Sequence, residues 1–132
     1  MINSNDFNFS FSGLKTAVLY TVKKLPALNA KLKADLAASF QQAAVDVLTA
    51  KTMNAAQKFK VKTVMLSGGV AANLLLRNNL KLKAASAKLN FLTPQIHLCT
   101  DNAAMIAAGA YFSRPIPWQK LKVDPNLEIW KK

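Results

Sequence analysis

One stretch indicates an α/β fold, and it reads Thr63-Val-Met-Leu-Ser-Gly-Gly-Val-Ala-Ala-Asn73. Its first half is short, apolar and β-branched, which predicts a buried strand that ends abruptly at Gly68 and Gly69. Helical periodicity resumes at about Ala71 and continues towards Lys88, so the two glycines form a tight turn. The stretch therefore predicts a strand–turn–helix unit, which is the building block of α/β folds.

Few other strands can be placed around this unit. Apolar periodicity predicts helices at about 13–24, 33–59 and 103–112, a second strand at 90–93 and a third apolar stretch at 96–99. The helix at 103–112 is apolar nearly all round, so we expect it to be buried. Two or three short strands do not make a sheet with helices on both faces. Either the sheet is small or strands are missing from this chain.

Charge and length limit the function classes. The chain has 132 residues, with 18 Lys and Arg against 6 Asp and Glu, so its net charge is +12. This length is that of one domain or a piece of one, and the charge attracts polyanions, either nucleic acid or an anionic membrane surface. No apolar run reaches the roughly 18 residues of a membrane span, and no signal peptide is apparent. A cytoplasmic protein is the simplest interpretation.

The Gly-Gly turn is the strongest candidate binding feature. Gly68 and Gly69 let a ligand approach the backbone, and the helix that follows offers N–H groups and partial positive charge to a phosphate. Asn73, expected one turn into that helix, could hydrogen-bond a ribose or a base. The alternatives are a plain β–α turn and an exposed polar side chain. The loop is neither a Walker loop nor a dinucleotide fingerprint.

A second polar cluster precedes the last helix. Thr100 or Asp101 suits the N-cap of that helix, while Asp101 could also ligate a cation, with His97 four residues before it. One carboxylate makes a poor transition-metal site, so the sequence does not assemble a complete one. Cys99, the only cysteine, lies in an apolar segment and is expected to be a buried, inert thiol.

Near the N-terminus, Phe alternates with Asn and Ser over residues 7–12. The alternation predicts a short extended segment, after which Ser10 or Ser12 caps the first helix. Aromatic rings beside hydroxyls and Lys15 could contact a nucleotide or RNA. Packing of the rings together with a helix cap is the simpler alternative.

Four segments together resemble one family. Residues 8–17, 35–41, 67–73 and 98–107 occur in the order and at the spacing of the C-terminal part of the tRNA N6-adenosine threonylcarbamoyltransferases, formerly called glycoproteases. The resemblance implies an actin-like ATPase fold of two α/β lobes. Residues 1–132 would be a partial, ribonuclease H-like lobe, helix-rich with a few short strands and without the N-terminal lobe. An irregular tail is expected at 114–132.

The resemblance also implies an activity and its site. The family transfers a threonylcarbamoyl group from threonylcarbamoyl-adenylate, an ATP-like ligand, to N6 of adenosine 37 in tRNAs that read codons beginning with A. Its divalent metal, iron or zinc, is held by two histidines of a His-x-x-x-His motif and by the aspartate that corresponds to Asp101. Asn73 corresponds to an adenylate contact, and Gly68 and Gly69 line the phosphate region. No catalytic residue is assigned, and Ser12 receives no such role.

The chain departs from the family pattern. The His-x-x-x-His motif is absent, since His97 is the only histidine, so we expect the chain alone to be inactive. Its expected partners are tRNA, the missing lobe, and accessory subunits, which in bacteria are a paralogous subunit and an ATPase. No membrane contact is expected. A fragment or half of a split gene, a truncated non-catalytic subunit that binds nucleotide or tRNA, and an unrelated basic RNA-binding module remain alternatives.

Overall fold

The computed structural model describes residues 2–120 and 122–126, and the chain divides into two units, Met1–Thr100 and Asp101–Lys132. The first unit contains α1 (Phe11–Lys23), α2 (Ala30–Lys58), β1 (Thr63–Met65), α3 (Leu74–Ser86) and β2 (Asn90–Leu92). Short 3-10 turns follow each strand, at Gly69–Ala72 and at Ile96–Leu98. The second unit contains α4 (Ala103–Phe112) and a 3-10 turn at Trp118–Lys120.

The sheet is small, and the sequence left open whether it is small or lacks strands from elsewhere. In the described ranges β1 and β2 are the only strands, and they pair in parallel with Thr63 opposite Asn90. Val64 is buried, but Met65 is 75% exposed, so the strand predicted to be buried is covered at only one position. The apolar stretch at 96–99 forms a 3-10 turn instead of a third strand.

The core of the first unit lies where α2, α3 and the sheet meet. It centres on three buried side chains, Val45, Leu76 and Leu80, and it is extended by Leu48, Leu66, Leu75 and Phe91. Leu76 and Leu80 lie four residues apart, on one face of α3. The same face carries the buried Ala84, so α3 is the amphipathic helix that its spacing predicts.

A buried lysine holds the N-terminal segment against α2. The side chain of Lys51 is 4% exposed, and its ammonium donates to Ser4 Oγ at 2.7 Å and to both the carbonyl and Oδ1 of Asp6 at 2.8 Å. Three acceptors satisfy the three donors of the ammonium, which is the condition for burying a lysine. This hydrogen-bonded group keeps the residues before α1 in place.

The first helix begins earlier than the sequence predicts. Ser10, one of the two expected caps, accepts the Gly13 N–H at 3.1 Å, so α1 starts at Phe11. Phe11 and Ser12, which the sequence predicts to be extended, are therefore helical. The position of the cap explains the difference, because the helix begins directly after the residue that satisfies its free N–H groups.

The last helix has the predicted bounds but is not buried. Every residue of α4 is exposed, which contradicts the expectation drawn from its apolar sequence. A helix that is apolar all round needs packing partners on every side to be buried. Of the predicted irregular tail, residues 121 and 127–132 lie outside the described residues.

We predict that Leu76→Ala lowers the free energy of unfolding by about 3 kcal/mol, because it leaves a cavity in the core. Leu74, on the same helix, is 60% exposed whereas Leu76 is 2% exposed, so Leu74→Ala is the matched control, with an expected change within about 0.5 kcal/mol. Urea denaturation of the 132-residue chain measures both. Equal losses would show that α3 does not pack through Leu76.

We predict that the contribution of Asp6 to stability depends on pH. The hydrogen bond from Lys51, with a smaller one from Ser4, holds the pKa of Asp6 below its ordinary value. The lowered pKa means that this contribution is present above about pH 4 and is lost as pH falls through the folded-state value. The difference in melting temperature between the chain and Asp6→Asn should therefore be constant near neutral pH and should shrink in acid.

The control is the same comparison in a Lys51→Met background. Without the ammonium, the pH-dependent effect of Asp6→Asn on the melting temperature should shrink to the smaller part that the bonds from Ser4 and the Asn8 N–H provide. A pH-dependent difference that survives undiminished in this background would show that Lys51 is not its main cause.

Candidate functional site

The loop after β1 requires a glycine at one position and is open at the next. Gly68 has φ 86°, a left-handed conformation that side chains disfavour. A Cβ built on either Gly68 or Gly69 meets no atom within 4 Å. The loop therefore leaves space beside its backbone, and binding of a phosphate there stays a prediction.

The sequence predicts that Asn73 lies one turn into α3. In the structure Asn73 is instead the cap at the start of this helix. The 3-10 turn at Gly69–Ala72 takes up the residues assigned to the start of the helix, so the α-helix starts at Leu74. Asn73 Oδ1 accepts the Leu76 N–H at 3.0 Å, and its Nδ2 donates to Gln41 Oε1 at 3.0 Å. Asn73 is thus a helix cap and a link from α3 to α2.

Arg77, which sequence reasoning missed, joins the Gly-Gly loop to the segment before Asp101. Its guanidinium donates to the carbonyl of Ala71, to the carbonyl of Pro94 at 2.7 Å and to Cys99 Sγ at 2.9 Å. The sequence gives one signal for this role, which is that arginine is rare in a lysine-rich chain. A guanidinium makes several directed bonds that an ammonium does not, so an isolated arginine indicates such a role. Cys99 is buried, as expected.

Asp101 is not the helix cap that the sequence offered as one explanation for it. Asn102 caps α4, with its Oδ1 accepting the Met105 N–H at 2.9 Å. A better-placed amide one residue later therefore takes the role expected of Thr100 or Asp101. Asp101 is exposed at the start of the second unit, and His97 is exposed in the 3-10 turn at Ile96–Leu98.

The described residues do not fit a metal ion without ligands from elsewhere. In residues 2–120 and 122–126 there is no group of three or more His, Cys, Asp or Glu side chains that could hold one. A divalent metal such as zinc usually takes three or four protein ligands, and Asp101 offers one carboxylate. A metal at Asp101 therefore requires further ligands from outside this part of the chain.

The aromatic segment before α1 contributes to an apolar groove. The groove has a volume of about 550 Å³ and is lined by Phe9, Phe11 and Leu14 on one side and by Ala43 and Val47 of α2 on the other. This arrangement matches the simpler alternative of ring packing beside a helix cap. Contact of the segment with nucleotide or RNA remains a prediction.

Comparison with known proteins places the chain. A family model described as tRNA N6-adenosine threonylcarbamoyltransferase matches residues 2–108, which include the Gly-Gly loop, Asn73 and Asp101. The chain belongs to this family. The small parallel sheet and the helix-rich α/β unit agree with a partial actin-like lobe of a tRNA N6-adenosine threonylcarbamoyltransferase, as the resemblance implies.

Individual relatives carry the same name. A tRNA N6-adenosine threonylcarbamoyltransferase of Thermosipho africanus is 47% identical over 132 residues, which cover 98% of this chain and 40% of that protein. Relatives from Thermosipho melanesiensis and Syntrophomonas wolfei are 52% and 49% identical over 111 residues, or 84% of this chain and 33% of each protein. The chain thus spans at most two fifths of the length of these relatives.

The helices of the described residues give one further finding. Within 2–120 and 122–126, no helix combines the length and the apolar character needed to cross a membrane.

We predict that Asn73→Ala lowers the free energy of unfolding by about 1 kcal/mol, because it removes the cap of α3. Asn73→Ser keeps a capping oxygen and loses only the amide that reaches Gln41, so it should keep most of the stability. Gln41→Ala, which removes the same link from the other side, is the control for that lost bond. Chemical denaturation of the three variants measures these effects, and equal losses for Ala and Ser would contradict the capping role.

Proposed function

We propose that this chain forms the C-terminal part of an enzyme that makes the threonylcarbamoyl modification of tRNA. The complete enzyme transfers a threonylcarbamoyl group from threonylcarbamoyl-adenylate to N6 of adenosine 37 in tRNAs that read codons beginning with A. The observation that supports this proposal is the family match over residues 2–108. The match contains every residue to which the resemblance gives a role in this chain.

In this proposal the Gly-Gly loop binds the adenylate. Gly68 turns the backbone with its positive φ, and the open space beside Gly69 lets the phosphate approach the main chain. Asn73 follows the loop directly, and its amide retains one hydrogen and one lone pair beyond the bonds to Leu76 and Gln41. Those remaining positions are the ones that can contact the nucleoside.

Asp101 supplies one carboxylate to a divalent metal ion, iron or zinc, in the complete enzyme. The two histidine ligands must come from outside this chain, because His97 is its only histidine. The ligand set is therefore incomplete here, and we propose that the 132-residue chain alone is inactive. The complete enzyme acts in the cytoplasm on tRNA, together with a paralogous subunit and an ATPase subunit if it is bacterial.

A second candidate function is a truncated, non-catalytic subunit that binds nucleotide or tRNA. Its support is that the described chain keeps the open Gly-Gly loop while no group of its described residues could hold a metal ion. A reading frame directly upstream that encodes His-x-x-x-His would favour the enzyme. Without any such frame in the genome, the binding subunit would be the better proposal.

The test of the enzyme proposal uses the chain joined to a complete N-terminal portion. We predict that Asp101→Ala abolishes bound metal, measured by elemental analysis, and formation of modified adenosine, measured by mass spectrometry of tRNA. The fold should survive, because Asp101 is exposed and does not cap α4. Asp46→Ala, which removes an exposed carboxylate of α2, is the matched control and should keep both.

The chain by itself gives the complementary result. Supplied with tRNA, ATP, threonine, bicarbonate and the accessory proteins, it should form no product and should hold much less than one equivalent of metal. A full equivalent of iron or zinc on the isolated chain would show that the proposed ligand set is wrong.

A further inference from the structure

The positive charge is concentrated in one part of the chain. Residues 47–100 contain no Asp or Glu but carry seven lysines and Arg77. Within the described residues, the ion pair between Lys51 and Asp6 is the only one that neutralises a positive charge of this stretch. The remaining lysines of this stretch therefore have no carboxylate nearby in sequence to neutralise them.

The parallel sheet gathers four of these lysines at one edge. Because β1 and β2 run in the same direction, the connections that enter them lie side by side, and the Asn90 N–H bonds the carbonyl of Lys62 at 2.9 Å. Residues of both connections line one cleft of about 420 Å³. We call this surface the basic edge, and its residues are Lys58, Lys60, Lys62 and Lys88, all exposed.

The basic edge lies opposite the Gly-Gly loop in the sheet. Gly68 and Gly69 follow the carboxyl end of β1, whereas Lys60 and Lys62 precede its amino end. The two surfaces therefore lie at opposite ends of a three-residue strand, roughly 10 Å long.

Helix stability does not explain why lysine occupies two of these positions, 60 and 88. Lys60, with φ 51°, and Lys88, with φ 57°, are the only non-glycine residues with positive φ in the described chain. Each occupies the position just past a helix, and after Lys60 the Val61 N–H bonds back to the Ala56 carbonyl at 3.1 Å. Glycine or asparagine is the favoured residue there. Lysine at both positions places charge at a cost to the backbone, which points to a function.

Helix dipoles account for only part of the pattern. A lysine in the last helical turn, such as Lys58, interacts favourably with the carbonyl end of its helix, but that effect does not require lysine at a left-handed position. Beside these charges, the ring of Phe59 is 65% exposed, although it packs against Phe7 at a centroid distance of 5.7 Å and has the Lys58 ammonium 6.0 Å from its centroid. An exposed aromatic ring among lysines is suited to a base stacked next to its phosphate.

We propose that the basic edge binds the phosphate backbone of RNA, at the end of the sheet opposite the adenylate loop. The identity of this RNA as the tRNA substrate rests on the proposed function. The lysines provide the charge that a polyanion requires, and no carboxylate from residues 47–100 opposes it. Such contacts hold an RNA in position without reading its sequence.

The experiment compares two double variants of the chain, each lacking two positive charges. Lys60→Asn with Lys88→Asn alters the basic edge, and asparagine tolerates the left-handed conformation, so the melting temperature should stay equal or rise. Lys31→Gln with Lys33→Gln is the matched control. These two exposed lysines lie at the other end of α2, about 40 Å away along the helix at 1.5 Å per residue.

The measurement is the affinity of an unmodified tRNA transcript as a function of KCl concentration. For the edge variant we expect the slope of log affinity against log salt to fall by about 1.5, as for two lost phosphate contacts. At about 0.1 M salt the affinity should fall roughly tenfold. The control should retain the slope and affinity of the unchanged chain.

Three outcomes would overturn the inference. Equal losses in the two double variants would mean that only net charge matters. A chain that binds no tRNA even at low salt has no RNA-binding edge. Binding to phosphatidylserine vesicles that the edge variant loses, with tRNA binding unchanged, would assign the surface to a membrane. None of these results decides whether the complete protein is an enzyme, which is tested separately by product formation.

Discussion

The packing of α3 against α2 is the interaction on which the described part of the first unit depends. Leu76 and Leu80 bury one face of α3 against Val45 of α2, and Phe91 extends the same cluster into the sheet. Because α3 connects the two strands, this contact also sets where the Gly-Gly loop begins and where β2 starts. Removing apolar area from water is the main stabilising contribution in such a unit. Few other side chains of the described residues are buried and add to this contribution.

Polar bonds fix the candidate site to this core. Asn73 caps α3 and reaches Gln41 of α2, so the residue next to the Gly-Gly loop is held by two helices. Arg77, one turn later, ties Ala71 to Pro94 and Cys99. The loop and the segment that leads to Asp101 are thereby connected through one guanidinium. A binding residue held by such bonds loses little freedom when a ligand arrives, which favours binding.

Several apolar surfaces are exposed in the part of the chain that the structure describes. The residues of α4 are exposed although the helix is apolar, and Met65 of β1 is also exposed. The chain spans 40% of the relative from Thermosipho africanus. Exposed apolar faces of this kind mark surfaces that other protein segments cover.

The sequence by itself determined the family, the four long helices, the two strands and the small sheet, because these follow from local periodicity and from ordered motifs. It also predicted a buried α4, whereas α4 is exposed in the part of the chain that the structure describes. Only the tertiary structure decided the roles of Asn73, Arg77 and Lys51, whose partners lie 32, 22 and 45 residues away. No local pattern encodes such pairings, because they exist only once the helices have packed and brought distant polar groups together.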